Sequence, residues 1–151
     1  MEKIRLGLIG CGGRMGGHMH SFEQMQDVAV VAVADPIQER REAAAKRFGC
    51  QRMYTDHRAF FEKENKETLD AVVIAIEPTA HQGVEEAAID RDLPFLVEKP
   101  MTLDLRQAEE IARRVEEKGL ITAVGFQDRY LDLMDIIKAE LPRHKAGGLV
   151  Y

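Results

Sequence analysis

Gly10, Cys11, Gly12, Gly13, Arg14, Met15 and Gly16 follow an apolar run, Ile4–Ile9, and precede a segment compatible with helix. Glycine lets the backbone turn tightly and approach phosphate oxygens, and the unpaired N–H groups of a helix's first turn attract an anion. The order strand, glycine cluster, helix suits binding of a dinucleotide pyrophosphate. Two frames fit the loop. Gly10-x-Gly12-x-x-Met15 matches G-x-G-x-x-G up to its last position, and Gly10-x-x-Gly13-x-x-Gly16 has all its glycines. A glycine-rich β–α turn without a ligand also accounts for the glycines alone. Gly10, Gly12, Gly13, Arg14 and Met15 are the candidate contacts.

Asp35 follows a second apolar run, Val28–Ala34, about 20 residues after the loop. A carboxylate there accepts hydrogen bonds from adenosine ribose hydroxyls. It also repels a 2′-phosphate, which favours NAD over NADP. The competing role is a helix cap before Pro36. Arg40 and Arg41 could soften the preference for NAD, but helical geometry turns them toward solvent.

The elements that must position these residues alternate along the chain. Strands are expected at Ile4–Ile9, Val28–Ala34, Arg52–Tyr54, 71–76, Phe95–Val97 and 121–124. Helices are expected at 14–26, 36–48, 56–63, 79–91, 104–118 and 130–141, with Gly49 and Gly119 closing two of them. Thr79-Ala80-His81-Gln82 resembles a capping box for the fourth helix. Met15, Met19, Phe22 and Met25 recur at helical spacing and suit core packing rather than a ligand. The rhythm predicts an α/β fold, a doubly wound and mostly parallel sheet of the Rossmann type.

At 151 residues the chain is one domain's worth. Its net charge of −5, without a basic stripe, argues against nucleic-acid binding. No apolar run reaches membrane-spanning length, and the charged start argues against a signal peptide. The cysteines, Cys11 and Cys50, form no framework or metal spacing and suit reduced thiols in a cytoplasmic protein. His18 and His20 lie two apart and make a poor metal pair, so no metal site is expected.

The sequence Glu98-Lys99-Pro100-Met101 after a strand resembles the Gfo/Idh/MocA oxidoreductases, named for glucose-fructose oxidoreductase and inositol dehydrogenase. The resemblance extends over the glycine loop, Ala34-Asp35-Pro36, Pro78 with His81, and Val124-Gly125-Phe126-x-x-Arg129-Tyr130. It implies a dinucleotide domain over residues 1–124. Residues 125–151 then form a connecting helix and the start of a substrate domain that is otherwise absent. Lys99 matches the catalytic lysine that contacts substrate near the nicotinamide and assists proton movement, with Glu98 and Pro100 positioning it, and a cis Lys99–Pro100 bond is expected. Ile76, Glu77, Pro78 and His81 match the segment on the nicotinamide side, and Arg129 an arginine just before the second domain.

The implied cofactor is NAD rather than NADP. The implied substrate is a sugar, a polyol or a related compound oxidised at an alcohol carbon. The chain alone is expected to bind the dinucleotide but to turn over poorly, and apolar surface left uncovered makes homo-oligomer formation plausible. Two departures stand out, Met15 at a loop position that is usually small and Thr79 where asparagine is common. The run Gly-Gly-Arg-Met-Gly also looks like dihydrodipicolinate reductases, which lack the Glu-Lys-Pro pattern. A non-catalytic interaction module is the third alternative, with Met15 obstructing the loop.

Overall fold

The computed structural model describes residues 3–141. Among them six strands, β1 (Ile4–Ile9), β2 (Val28–Ala34), β3 (Arg52–Tyr54), β4 (Ala71–Ile74), β5 (Phe95–Val97) and β6 (Thr122–Val124), form one sheet. Helices α1 (Gly13–Gln24), α2 (Gln38–Phe48), α3 (His57–Lys63), α4 (Val84–Asp90) and α5 (Leu105–Lys118) connect them, and α6 (Asp132–Glu140) follows β6. Every pairing is parallel, in the order β3-β2-β1-β4-β5-β6. The order reverses between β1 and β4, so the loops after these strands diverge and leave a crevice at the sheet's carboxyl edge.

Side chains alternate across the sheet and build two cores. Leu6, Leu8, Val33 and Val73 meet Met15, Met19, Ala44 and Ala45 of α1 and α2. Ile9, Ala34, Val72, Ile74 and Val97 meet Phe60, Phe61, Ala88, Ile89 and Ile111 of α3, α4 and α5. The doubly wound parallel sheet is therefore as expected, with its central strands buried between the helices and the edge strands β3 and β6 partly exposed. Met15 and Met19 pack in the core, while Met25 lies past the end of α1 and is exposed.

Three helices start two or more residues later than expected, among them α6, which begins at Asp132 after a 3-10 turn at Gln127–Tyr130. Pro36 and Ile37 stay outside α2, whose N-cap is Ile37 and has no side-chain cap bond. Asp35 instead accepts the Ile37 N–H at 2.8 Å, a local turn ahead of the helix. Thr79 caps nothing: Pro78–Ala80 is a single 3-10 turn, and Gly83, at φ +85°, separates it from α4. The left-handed glycine breaks the path that a capping box at Thr79 requires.

Asp56 caps α3 by accepting the Ala59 N–H at 2.8 Å. At the other end of α3, buried Glu64 accepts from Tyr54 Oη at 2.6 Å, Thr68 Oγ1 at 2.6 Å and Arg52 Nη1 at 3.0 Å. Burial, reinforced by Glu64, pushes the Tyr54 phenol up to about 12, so it remains a donor. This network locks α3 to β3 and so sets where Asp56 and His57 meet the crevice. Tyr54→Phe keeps the ring that packs edge-on against Phe60 but leaves Glu64 Oε1 unpartnered. It is expected to lower stability by about 1–3 kcal/mol in urea unfolding.

Candidate functional site

The crevice is a cleft of about 640 Å3 at the ends of β1, β2, β4 and β5. Gly10 closes β1 at φ +84°, and its N–H donates to the Ala34 carbonyl at 2.8 Å. A Cβ on it would lie 2.3 Å from the Ala75 carbonyl oxygen, so the turn admits only glycine. Gly12 is the N-cap of α1, and the helix's first backbone bond runs from the Gly16 N–H to the Gly12 carbonyl at 3.0 Å. The N–H groups of Gly13, Arg14 and Met15 precede that bond. Nothing lies within 4 Å of where a Gly13 Cβ would stand, so the loop's cleft side is open where a phosphate must approach. Gly10, Gly12, Gly13 and Arg14 line the cleft, and Gly16 does not.

Asp35 is buried and lines the same cleft. Its Oδ2 accepts the Cys11 N–H at 2.7 Å, while Oδ1 takes Ile37. Each carboxylate oxygen retains a lone pair, so the group can still accept from ribose hydroxyls. Arg40 is exposed, as expected, and borders the cleft, whereas Arg41 is half-buried and donates to the Asp35 carbonyl at 2.6 Å. The Cys11 thiol, buried under the glycine turn, is pushed up to about 12, first by burial and then by Asp35.

At the far end the cleft is lined by Ile76, Glu77, Pro78, Glu98 and Lys99. Lys99 is exposed, and its bond to Pro100 is cis. Glu98 is buried and accepts from Arg14 Nε at 2.9 Å and His18 Nε2 at 2.7 Å. Burial alone raises its carboxyl, but the bonds from Arg14 and His18 outweigh that and hold it below the ordinary value.

Two candidates leave the site. Met15 is fully buried under α1 beside Leu6 and Leu8, so only its backbone N–H can serve a ligand. His81 is 3% exposed and pairs through Nδ1 with Glu85, one turn along the chain, inside the protein and away from the lining. Arg129 lies over the Tyr130 ring at 5.9 Å, outside the cleft. Asp56 and His57 join the lining without having been anticipated. Burial, then Arg58, lowers the His57 pKa and so disfavours its charged form. Their place depends on β3 lying beside β2, which no local signal reports. His18, weighed only as a metal ligand, is the other omission. Its spacing from Arg14, one helical turn, was the available signal.

Residues 4–126 match the family model described as the oxidoreductase family, NAD-binding Rossmann fold. The chain is 34% identical over 150 residues to an inositol 2-dehydrogenase of Saccharopolyspora erythraea, covering 97% of this chain and 42% of that protein. It is 30% identical over 120 residues to a D-apiose dehydrogenase of Paraburkholderia graminis, covering 80% and 31%. An oxidoreductase from Agrobacterium radiobacter, solved with NAD+, L-tartaric acid and magnesium, superposes with a TM-score of 0.80 at 25% identity, over 97% of this chain and 42% of that one. The chain thus spans less than half the length of these relatives.

The loop geometry makes Gly10→Ala a sharp test. A left-handed φ and a 2.3 Å clash with backbone are together expected to cost at least about 2 kcal/mol in urea unfolding and to abolish NAD binding in calorimetry. Open glycines at a helix N-terminus, a buried carboxylate after β2 and the family match over residues 4–126 agree: the chain belongs to the Gfo/Idh/MocA oxidoreductase family, as its NAD-binding Rossmann domain.

Proposed function

We propose that this chain holds NAD for the dehydrogenation of a sugar, polyol or related alcohol, and that Lys99 is the residue it contributes to the chemistry. The observation that carries the proposal is one continuous cleft lined by Gly10, Gly12 and Gly13, by Asp35, and by Lys99. Backbone N–H groups of the loop and of α1's first turn hold the pyrophosphate. Asp35 takes the adenosine ribose hydroxyls, with Arg40 beside it. Ile76, Pro78 and Glu98 border the nicotinamide end. Bound NAD supplies the acceptor for the hydride that leaves an alcohol carbon. Lys99 Nζ hydrogen-bonds the substrate hydroxyl and takes part in moving its proton. The family supports the reaction class, and the relatives' names, inositol and apiose dehydrogenases, support the substrate class.

Residues 1–124 act as the dinucleotide domain in this proposal. Residues 125–151 lead toward a substrate-binding part, and their segment 142–151 lies outside the described residues. Lys99 is exposed, and hydride transfer needs a substrate carbon held against the nicotinamide. The 151 residues alone are therefore proposed to bind NAD without efficient turnover. The obstruction that would favour a non-catalytic module is not found, because Met15 packs away from the cleft.

Calorimetric titration tests the cofactor assignment. NAD is expected to bind with much weaker binding of NADP, and Asp35→Ala is expected to weaken NAD by about tenfold or more, the loss of a hydrogen bond to a charged acceptor. A preference for NADP would overturn the role given to Asp35. Steady-state oxidation of a polyol by this chain alone would overturn the proposed dependence on a further domain.

A further inference from the structure

Arg14 and His18 stand one turn apart on α1 and reach toward the same neighbour. Both donate to one oxygen of Glu98, Oε1. Glu98 is fixed from other sides as well. Its N–H donates to the Ile74 carbonyl at 2.8 Å, and its carboxyl rests against Gly125, where a Cβ would lie 3.0 Å from Cδ. Arg14 also donates from Nη2 to Gln127 Oε1 at 2.9 Å. The His18 ring lies nearly parallel to Phe22, at 18° and 6.1 Å between centroids, which restrains its rotation. Glu98 therefore cannot shift without disturbing α1, the end of β4 and the segment after β6.

Lys99 is the next residue. It is exposed and makes no hydrogen bond or ion pair with the described residues, so its position is set by its backbone neighbours. His18 does not line the cleft, and any effect it has on a ligand there must be relayed. We propose that His18 is a positioning residue: by donating from Nε2 to Glu98 it holds the start of the Glu98–Lys99–Pro100 turn and so keeps Lys99 at the nicotinamide end. This rests on the assignment of Lys99 made above. The Nε2–H donor exists in one neutral tautomer and in the imidazolium, so the contact does not require a charged ring.

The test is acylation of Lys99 by an amine-reactive reagent, read by peptide mass with and without saturating NAD. Wild-type Lys99 is expected to be protected by NAD. In His18→Phe, which keeps an aromatic ring beside Phe22 but has no donor, protection is expected to fall about tenfold, the population change on losing one hydrogen bond to a charged acceptor. His18→Gln, which can still donate, should retain protection, and calorimetric NAD affinity should change far less in both. Gly125→Ala presses on the same carboxyl from the opposite side and should also lower protection, which gives a second probe if His18→Phe fails to fold. Unchanged protection in folded His18→Phe or in Gly125→Ala would overturn the inference, as would His18→Gln behaving like His18→Phe. If NAD binds wild type yet leaves Lys99 unprotected, the assignment of Lys99 itself fails, and the role of His18 falls with it.

Discussion

The Asp35 carboxylate is the tie on which the dinucleotide site depends. One oxygen holds the N–H of Cys11 in the glycine turn and the other the N–H of Ile37 ahead of α2. Two loops that leave the neighbouring parallel strands β1 and β2 are thereby fixed to each other at the sheet's carboxyl edge. The tie works only because Gly10 brings the end of β1 against Ala75 without a side chain between them. With the turn held on both sides, the first turn of α1 faces the cleft in one orientation. A buried carboxylate without such partners would be strongly destabilising. Here backbone donors satisfy it and leave it able to accept more.

Glu98 answers Asp35 at the other end of the cleft by different means. Its partners are side chains of α1 rather than loop amides, and Arg14 carries a formal charge to match it. The same helix thus starts with its backbone N–H groups at the glycine loop and sends side chains to the Lys99 end. A displacement of α1 would be felt at both. The His81–Glu85 pair differs again. It lies inside the protein at α4, and His81 Nε2 and Glu85 Oε2 have no hydrogen-bond partner among the described residues.

Much of this arrangement was legible in the sequence. The alternation of valine-rich runs with capped, amphipathic stretches specified the doubly wound sheet, because buried parallel strands and crossover helices leave distinct patterns. Gly10, Asp35 and Lys99 fall at strand ends, where such sheets bind ligands. What was not legible depends on contacts between distant segments. The bond from Cys11 to Asp35 spans 24 residues, and that from His18 to Glu98 spans 80. Met15 sits at a loop position by number but on the core side of α1 by helical phase. His81 shares the turn that borders the cleft, yet Gly83 redirects the chain and buries its ring. Family resemblance located the segment and could not tell which way each side chain turned.

Cys11 occupies the glycine turn at the cleft, a place where a reactive sulfur would be a liability toward peroxides and electrophiles. With its thiol raised to about 12 by burial and by Asp35, almost none of it is thiolate at neutral pH. Burial first, and then the carboxylate that ties the loops together, keep this sulfur in its less reactive thiol form, so a cysteine can stand in the glycine turn.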